Sequence, residues 1–172
     1  KLSGSYNSAE LGKKMYEEEY GKKNIFACDS HSASCGETQL AFKAAEWSEE
    51  GLPFEEICKK LTAYRDHMNT YFVLDNLETL RKNGRLTGVK ALVASTLSIK
   101  PVMGADAGEI IQLGQAIGIK KSLAKMAETV AKEAVHPEDK RLMITHCNCP
   151  ERAEKVKEMI LAKIHVKDVL VM

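Results

Sequence analysis

Residues 75–88 read DNLETLRKNGRLTG, and this stretch is the most informative part of the sequence. Its opening Asp-Asn pair can cap a short helix over residues 77–82, and Gly84 is suited to end that helix. The five residues before it, Thr70–Leu74, are mostly aromatic or aliphatic and predict a strand. A strand followed by a short capped helix marks a change from the long helical patterns that precede Asn69.

Arg85 lies between two glycines of this stretch, Gly84 and Gly88. The backbone there is tight, and a guanidinium held on such a turn can bind an anion through two parallel hydrogen bonds. The alternative is a structural ion pair with Asp75 or Glu78. The residues alone leave both interpretations open.

The chain before Asn69 combines helical and strand patterns. A helix is predicted over residues 6–20, between the turn at residues 2–5 and Gly21. Two further helices are predicted over 34–50 and 53–68, where apolar residues recur at helical spacing. Between the first two, the apolar run Ile25–Cys28 predicts a buried parallel strand. This alternation favours an α/β layer for residues 1–68.

Residues 69–172 carry a different mixture of patterns. A hairpin is expected from two apolar arms, residues 99–103 and 109–113, joined by a turn. The remaining segments are short helices over 77–82 and 89–97, a helix over 123–134, a strand over 142–145, a helix from Pro150 and a strand over 166–172. Together they favour a separate α+β domain, with the boundary near Met68–Thr70.

The composition excludes several classes of protein. The net charge of +1 gives no overall field that would favour nucleic acid or a membrane surface. No apolar run approaches the length of a transmembrane helix. The five cysteines are an odd number, typical of reduced thiols, and predict a cytoplasmic protein.

Ser3-Gly4-Ser5 stands at the start of the first predicted helix. The free N–H groups and positive dipole end of a helix N-terminus suit a carboxylate or a phosphate, and serine adds hydroxyl donors. The alternative is an ordinary N-cap with glycine as the turn residue.

Two other polar clusters invite a chemical interpretation. Residues 146–150, HCNCP, contain a Cys-x-Cys pair, but zinc sites need four ligands and no second pair is suitably spaced, so a helix start is the simpler interpretation. Residues 29–32, DSHS, form a loop that could line a site without catalysing anything.

The sequence has no phosphate-binding loop, nucleophile elbow or paired-carboxylate signature, and we expect no catalytic residues.

Several of these motifs resemble the DegV family, in order along nearly the whole chain. Residues 1–9, KLSGSYNSA, resemble the family's helix start, and Asp29-Ser30 resembles its second α/β unit. Residues 75–88 are the most specific match, and residues 99–102, IKPV, resemble a further strand.

The resemblance implies a DegV-like two-domain fold that binds a long-chain fatty acid in an apolar tunnel between the domains. Residues 1–68 would be the C-terminal portion of a first, Rossmann-like α/β domain, and residues 69–172 a second α+β domain. The head group would be held by Ser3, Gly4, Ser5 and Arg85. The protein would be a carrier, or would present the acid to a separate fatty acid kinase, without a cofactor or chemistry of its own.

The sequence also departs from the family pattern. We expect the chain to be a fragment that lacks two parts of the family pattern. One is the N-terminal segment, which contains the family's Thr-Ser-Gln-Pro head-group motif, and the other is the Gly/His-rich C-terminal end. Ile117 and Ile119 stand where many members have arginines, which weakens the expectation of a kinase partner. The apolar pair would mean burial or a different partner surface.

Two other functions are compatible with the residues. One is an enzyme or binding protein for a small anionic or phosphorylated metabolite at Ser3–Ser5 and Arg85. The other is a lipid-responsive interaction module that has no kinase partner. A short, wet pocket would favour the first of these over lipid binding.

Overall fold

The computed structural model describes residues 3–86 and 98–172. The chain divides into two compact units, the first ending at Met68 and the second starting at Asn69. The three residues Ala107–Glu109 group with the first unit.

The first unit contains three helices in its described part. They are α1 (Ser5–Tyr20), α2 (Cys35–Glu49) and α3 (Phe54–Arg65). All three are confirmed within a few residues of the predicted ranges, α2 and α3 from the helical spacing of their apolar residues and α1 from the turn and the glycine at its ends. Gly21 ends α1 with a φ of 77°, a conformation that glycine adopts without strain.

Helices α2 and α3 pack on each other. Leu40 of α2 and Leu61 of α3 are buried. Beside them, Gln39 Nε2 donates a hydrogen bond to the hydroxyl of Tyr64 at 2.8 Å. The rings of Trp47 and Tyr64 meet edge to face, with centroids 6.1 Å apart, so the helix pair is joined by polar and aromatic contacts as well as aliphatic ones.

The strand predicted over Ile25–Cys28 is wrong, because this segment has no strand structure. A strand needs a neighbour that completes its ladder of hydrogen bonds, and the described residues from Ser3 to Met68 contain no other strand. Phe26 also keeps 39% of its surface exposed. The apolar run therefore does not reflect burial in a parallel sheet within this part of the chain.

The second unit contains a three-stranded sheet in the order β1-β2-β3. Its strands are β1 (Thr70–Phe72), β2 (Ile99–Asp106) and β3 (Glu109–Ile117). Strands β1 and β2 are antiparallel, with Tyr71 opposite Gly104. A Cβ atom at Gly104 would lie 2.7 Å from a methyl group of Leu113 and 3.2 Å from the carbonyl oxygen of Thr70, so a larger residue there would displace the Leu113 side chain.

The predicted hairpin is confirmed as β2 and β3, although both arms are longer than expected. Ala107 and Gly108 form its turn with φ values of 44° and 80°. Two positive φ values in succession match the turn type that fits the right-handed twist of a hairpin. The short turn explains why the two arms could be recognised from the sequence.

One face of this sheet is covered by the segment around α4 (Glu78–Lys82). Met103 of β2 is fully buried, and Leu86 is 6% exposed. Partly buried side chains complete the cluster: Phe72, Leu77, Leu80 and Ile110. Leu77, Leu80 and Leu86 thus attach the α4 segment to the sheet.

Helix α5 (Ile119–Glu133) contacts β2 and β1. Ser122 of α5 is fully buried, and its hydroxyl donates to the carbonyl oxygen of Lys100 at 2.8 Å. This bond satisfies a hydroxyl that would otherwise be costly to bury, and it fixes the helix against the sheet.

The last part of the second unit is a βαβ arrangement. It consists of β4 (Arg141–Ile144), α6 (Pro150–Leu161) and β5 (Asp168–Val171), preceded by a 3-10 turn at Pro137–Asp139. The two strands are parallel, with Leu142 beside Val169. Buried side chains of α5 and α6 form the core next to them: Ala127, Val156 and Ile160.

The mixed α/β class predicted from the sequence is confirmed. The short helix expected over residues 89–97 lies outside the described residues. None of the helices in residues 3–86 and 98–172 combines the length and hydrophobicity that a membrane crossing requires.

Candidate functional site

Ser3, Gly4 and Ser5 open α1 at an exposed position. Ser3 Oγ accepts a hydrogen bond from the backbone N–H of Ser5 at 3.1 Å, and the two hydroxyl oxygens lie 2.7 Å apart. This bond satisfies a donor at the start of α1, but the N-cap residue is Gly4, and no side chain caps the helix as the alternative interpretation expected. The first turn of α1 carries no acidic side chain, so its positive dipole end is not neutralised by a carboxylate of its own helix.

Arg85 follows α4 through a Schellman turn. The N–H of Arg85 donates to the carbonyl oxygen of Leu80 at 2.8 Å, and the N–H of Gly84 donates to that of Arg81 at 3.0 Å. Gly84 has a φ of 65°, the left-handed conformation that this turn requires. Because Leu86 follows at once and is buried, Arg85 is held at the surface between a left-handed glycine and a core residue.

The side chain of Arg85 extends from this turn. Its Nη1 donates to the carbonyl oxygen of Asn83 at 3.1 Å. Gly88, the second glycine of the predicted pair, lies outside the described residues. Residues 3–5 belong to the first unit and Arg85 to the second.

Asp75 and Glu78 were the alternative partners considered for Arg85, and each binds another arginine. Asp75 accepts a hydrogen bond from Arg152 Nη1 at 2.7 Å. Glu78 accepts two parallel bonds from Arg81, at 2.9 and 3.2 Å. These bonds raise the pKa of the Arg152 guanidinium and lower the pKa of the Glu78 carboxyl.

The DSHS loop at residues 29–32 contacts the end of α3. His31 Nε2 lies 3.4 Å from Asp29 Oδ2, and His31 Nδ1 lies 3.9 Å from Asp66 Oδ1. Arg65 donates to the carbonyl oxygen of Asp29 at 3.0 Å and to the Asp66 carboxylate at 2.9 Å, and this last bond lowers the pKa of Asp66. Sequence reasoning missed Arg65 and Asp66, because nothing local relates them to a loop 36 residues away.

Ser30 serves the turn of this loop. Its hydroxyl donates to the carbonyl oxygen of Ser32 at 3.0 Å and accepts the N–H of Ser32 at 3.2 Å. His31 adopts a φ of 51°, which is uncommon for a residue with a Cβ atom. The contacts of Ser30 describe a closed polar loop rather than a nucleophile presented to a base.

An open groove of about 450 Å³ lies on the first unit and was not predicted. Its lining is mostly apolar and comes from Phe26, from one face of α3 and from the residue after that helix: Cys58, Lys59, Thr62, Ala63 and Asp66. No sequence motif marks it, since its residues are separated by a whole helix. Its volume is within the usual range for small-molecule pockets, but it is open to solvent.

The HCNCP motif is a helix start, as expected. Cys149 precedes Pro150, the first residue of α6. His146 Nδ1 accepts the backbone N–H of Cys149 at 3.1 Å, which satisfies a donor at the start of that helix. In the described ranges, no group of three or more His, Cys, Asp and Glu side chains is arranged to hold a metal ion.

Ile117 and Ile119 flank Gly118 at the junction of β3 and α5. Ile117 is 67% exposed, whereas Ile119 is half-buried at the start of the helix. Lys120 and Lys121 follow and are exposed. Of the two outcomes considered for this pair, burial therefore does not apply to Ile117.

Comparisons with known proteins support one family over the whole chain. The family model of the uncharacterised DegV proteins matches residues 1–172. A DegV domain-containing protein of Clostridium perfringens is 34% identical over 171 residues, which are 99% of this chain and 59% of that protein. The chain thus spans about three fifths of the length of this relative.

Solved structures agree with the family match. A DegV family protein of Ruminococcus gnavus, whose crystal structure includes vaccenic acid, is 50% identical with a TM-score of 0.95, covering 99% of this chain and 61% of that one. The fatty acid kinase B3 protein of Streptococcus pneumoniae, loaded with linoleic acid, is 30% identical with a TM-score of 0.84, covering 99% and 60%. The predicted DegV-like fold is confirmed by these similarities. The chain belongs to the DegV family.

Proposed function

We propose that the protein binds a long-chain fatty acid and acts as a carrier, without catalysing a reaction itself. The observation that carries this proposal is the 50% identity and TM-score of 0.95 to the Ruminococcus gnavus protein whose structure contains vaccenic acid. The Streptococcus pneumoniae neighbour, loaded with linoleic acid, supports the same class of ligand at lower identity.

The candidate site supplies suitable groups for a carboxylate head group. Ser3 and Ser5 offer hydroxyls at a helix N-terminus whose first turn contains no acidic side chain. Arg85 offers a guanidinium on a turn fixed by Gly84 and Leu86. Hydrogen bonds to an ionised carboxylate from such donors are short and strong, and they offset the loss of water around the charge.

The acyl chain would supply most of the binding free energy. Each CH₂ group removed from water contributes about 0.8 kcal/mol, so a long chain binds well only where apolar side chains enclose it. The enclosing tunnel remains a prediction, and a crystal structure of the intact protein with its ligand would test it.

A kinase partner belongs to the proposal only in a restricted form. The Streptococcus pneumoniae neighbour bears the name of a fatty acid kinase B protein. In this chain the exposed Ile117 replaces an expected charge, so we propose that any kinase subunit docks here more weakly than on relatives with arginines. We propose that the carrier is cytoplasmic and needs no cofactor, and a kinase subunit as partner is compatible with that location.

Lipid extraction tests the proposal directly. The intact protein is purified without added lipid, denatured and extracted, and the organic phase is analysed by mass spectrometry. We expect one long-chain fatty acid per protein molecule, and a lower occupancy after Arg85→Met. A lipid-free protein that instead retains a water-soluble phosphorylated metabolite would favour the alternative function.

Binding to a kinase subunit needs its own experiment. The fatty-acid-loaded protein and its Ile117→Arg/Ile119→Arg variant are compared in pull-downs with a purified fatty acid kinase subunit. We expect stronger capture of the double variant. Equal capture of both forms would show that these positions do not determine docking.

A further inference from the structure

Asp75 is contacted by side chains from two distant parts of the second unit. Lys100 of β2 donates its ammonium group to the carbonyl oxygen of Asp75. Arg152 of α6 donates Nη1 to the Asp75 carboxylate at 2.7 Å, although 77 residues separate the two. Both the backbone and the side chain of Asp75 are therefore bound by cations from outside its own segment.

Asp75 is also the first residue of a continuous stretch of chain that ends at Leu86, called here the Arg85 segment (residues 75–86). Asn76 Oδ1 accepts the N–H of Glu78, the first residue of α4, at 3.2 Å and so satisfies a donor at the start of that helix. At the far end, the Schellman turn connects α4 to Arg85. Hydrogen-bonded turns thus stand at both ends of the segment, and α4 connects Asp75 to Arg85 between them.

The two ends of the segment are attached differently. Leu86 is anchored in the sheet core beside Met103, and this apolar contact has little directional preference. The contacts with Lys100 and Arg152 are directional, and they act at the opposite end. Leu77 and Leu80 pack against the same core, so the polar contacts at Asp75 add a directional restraint to a segment that three leucines attach to the sheet.

We propose that Arg152 and Lys100 are positioning residues, which hold the Arg85 segment through Asp75 so that the Arg85 guanidinium is aimed at the anionic head group of the ligand. This rests on the proposed function, in which that head group is a carboxylate. It also links ligand affinity to α6, a helix that supplies no predicted ligand-binding residue.

The contribution of the ion pair to global stability is small. The side chains of Asp75 and Arg152 are 61% and 45% exposed, and exposed ion pairs add little to the stability of a fold. A loss of the pair should therefore leave the protein folded and alter the local geometry. This separates a positioning role from a structural one.

The test compares a fatty acid with the fatty alcohol of the same chain length, measured by calorimetry on the delipidated intact protein. The alcohol keeps the apolar tail and lacks the carboxylate. We expect Arg152→Met to weaken binding of the acid about threefold, the size of an exposed ion-pair effect, and to leave binding of the alcohol unchanged. Asp75→Asn should act in the same way, while Arg152→Lys should retain most of the affinity.

A matched control comes from the same helix. Lys157 and Glu154 of α6 form an exposed ion pair at 2.8 Å that does not involve the Arg85 segment. Lys157→Met should leave the acid-to-alcohol affinity ratio unchanged. The charge-swapped double variant, Asp75→Arg with Arg152→Asp, should recover part of the ratio that either single variant loses.

The outcomes separate this proposal from the proposed function. If Arg85→Met lowers the acid-to-alcohol ratio and Arg152→Met does not, positioning through Asp75 is overturned and fatty-acid binding stands. If Arg85→Met leaves the acid-to-alcohol affinity ratio unchanged, the positioning role is overturned, because the guanidinium then does not bind the carboxylate. If the intact protein binds neither ligand, both proposals fail.

Discussion

Tyr71 of β1 donates its phenolic hydroxyl to Glu133 Oε2 at 2.7 Å, which joins the first strand of the second unit to the last residue of α5. Burial of the phenol and the neighbouring carboxylate both raise the pKa of Tyr71 well above its usual value of 10.0. The neutral phenol is therefore the form that the fold favours.

The first prediction concerns alkaline pH. A phenol with a raised pKa in the folded state stays protonated when the unfolded chain already loses its proton, so the free energy of unfolding falls as the pH rises above about 10. Urea denaturation between pH 9 and pH 11 measures this slope. Tyr71→Phe should make the slope shallower, whereas Tyr16→Phe, a control on α1 with an exposed ring, should leave it unchanged.

The second prediction concerns the core of the three-stranded sheet. Met103 is fully buried, so Met103→Ala leaves a cavity and should lower the free energy of unfolding by about 2–5 kcal/mol. Met15 on α1 is 61% exposed, and Met15→Ala should change it by less than about 0.5 kcal/mol. Chemical denaturation of both variants gives the comparison, and equal effects would contradict the assigned core.

The third prediction compares the effect on stability of replacing two glycines that both have open space around them. Neither Gly84 nor Gly12 has an atom within 4 Å of the place where a Cβ would lie. Gly84 has a φ of 65°, so Gly84→Ala should destabilise the fold by about 1 kcal/mol through backbone strain. Gly12 is inside α1, and Gly12→Ala should stabilise the fold by about 0.5–1 kcal/mol. Opposite signs in thermal or chemical unfolding would support the Schellman turn.

The fourth prediction concerns the thiols, all five of which are free. Burial raises the pKa of Cys28 and Cys35, which lowers the fraction of reactive thiolate at neutral pH. Cys147 is exposed. A thiol reagent followed by peptide mapping should therefore label Cys147 first, and Cys147→Ser should remove the fastest phase. Faster labelling of Cys35 would contradict its described burial.

The sequence predicted best those elements that depend on local patterns. Helices α2 and α3 have periodic apolar residues, α1 is bounded by a turn and by Gly21, and the hairpin has a two-residue turn. All these signals act over short distances. The strand over Ile25–Cys28 was wrong because an apolar run does not show whether a pairing partner exists. Strand formation depends on a second segment, which no local pattern specifies.

The same distinction between local patterns and contacts of distant residues applies to the candidate site. Gly84 and its role beside Arg85 could be recognised from residues 75–88, because a Schellman turn is a local structure. The bond between Arg152 and Asp75 could not, since it joins residues 77 positions apart. The contact of Arg65 with the loop at Asp29 was missed for the same reason.

The parallel pairing of β4 and β5 has a consequence for the kinetics of folding. Parallel neighbours cannot be joined by a tight turn, so these strands meet only after the chain has closed a loop that contains all of α6. Loop closure of this length costs entropy before any ladder bond forms, and contacts between distant residues slow folding. The hairpin of β2 and β3 has no such delay, and we therefore expect the hairpin to form before the parallel pair.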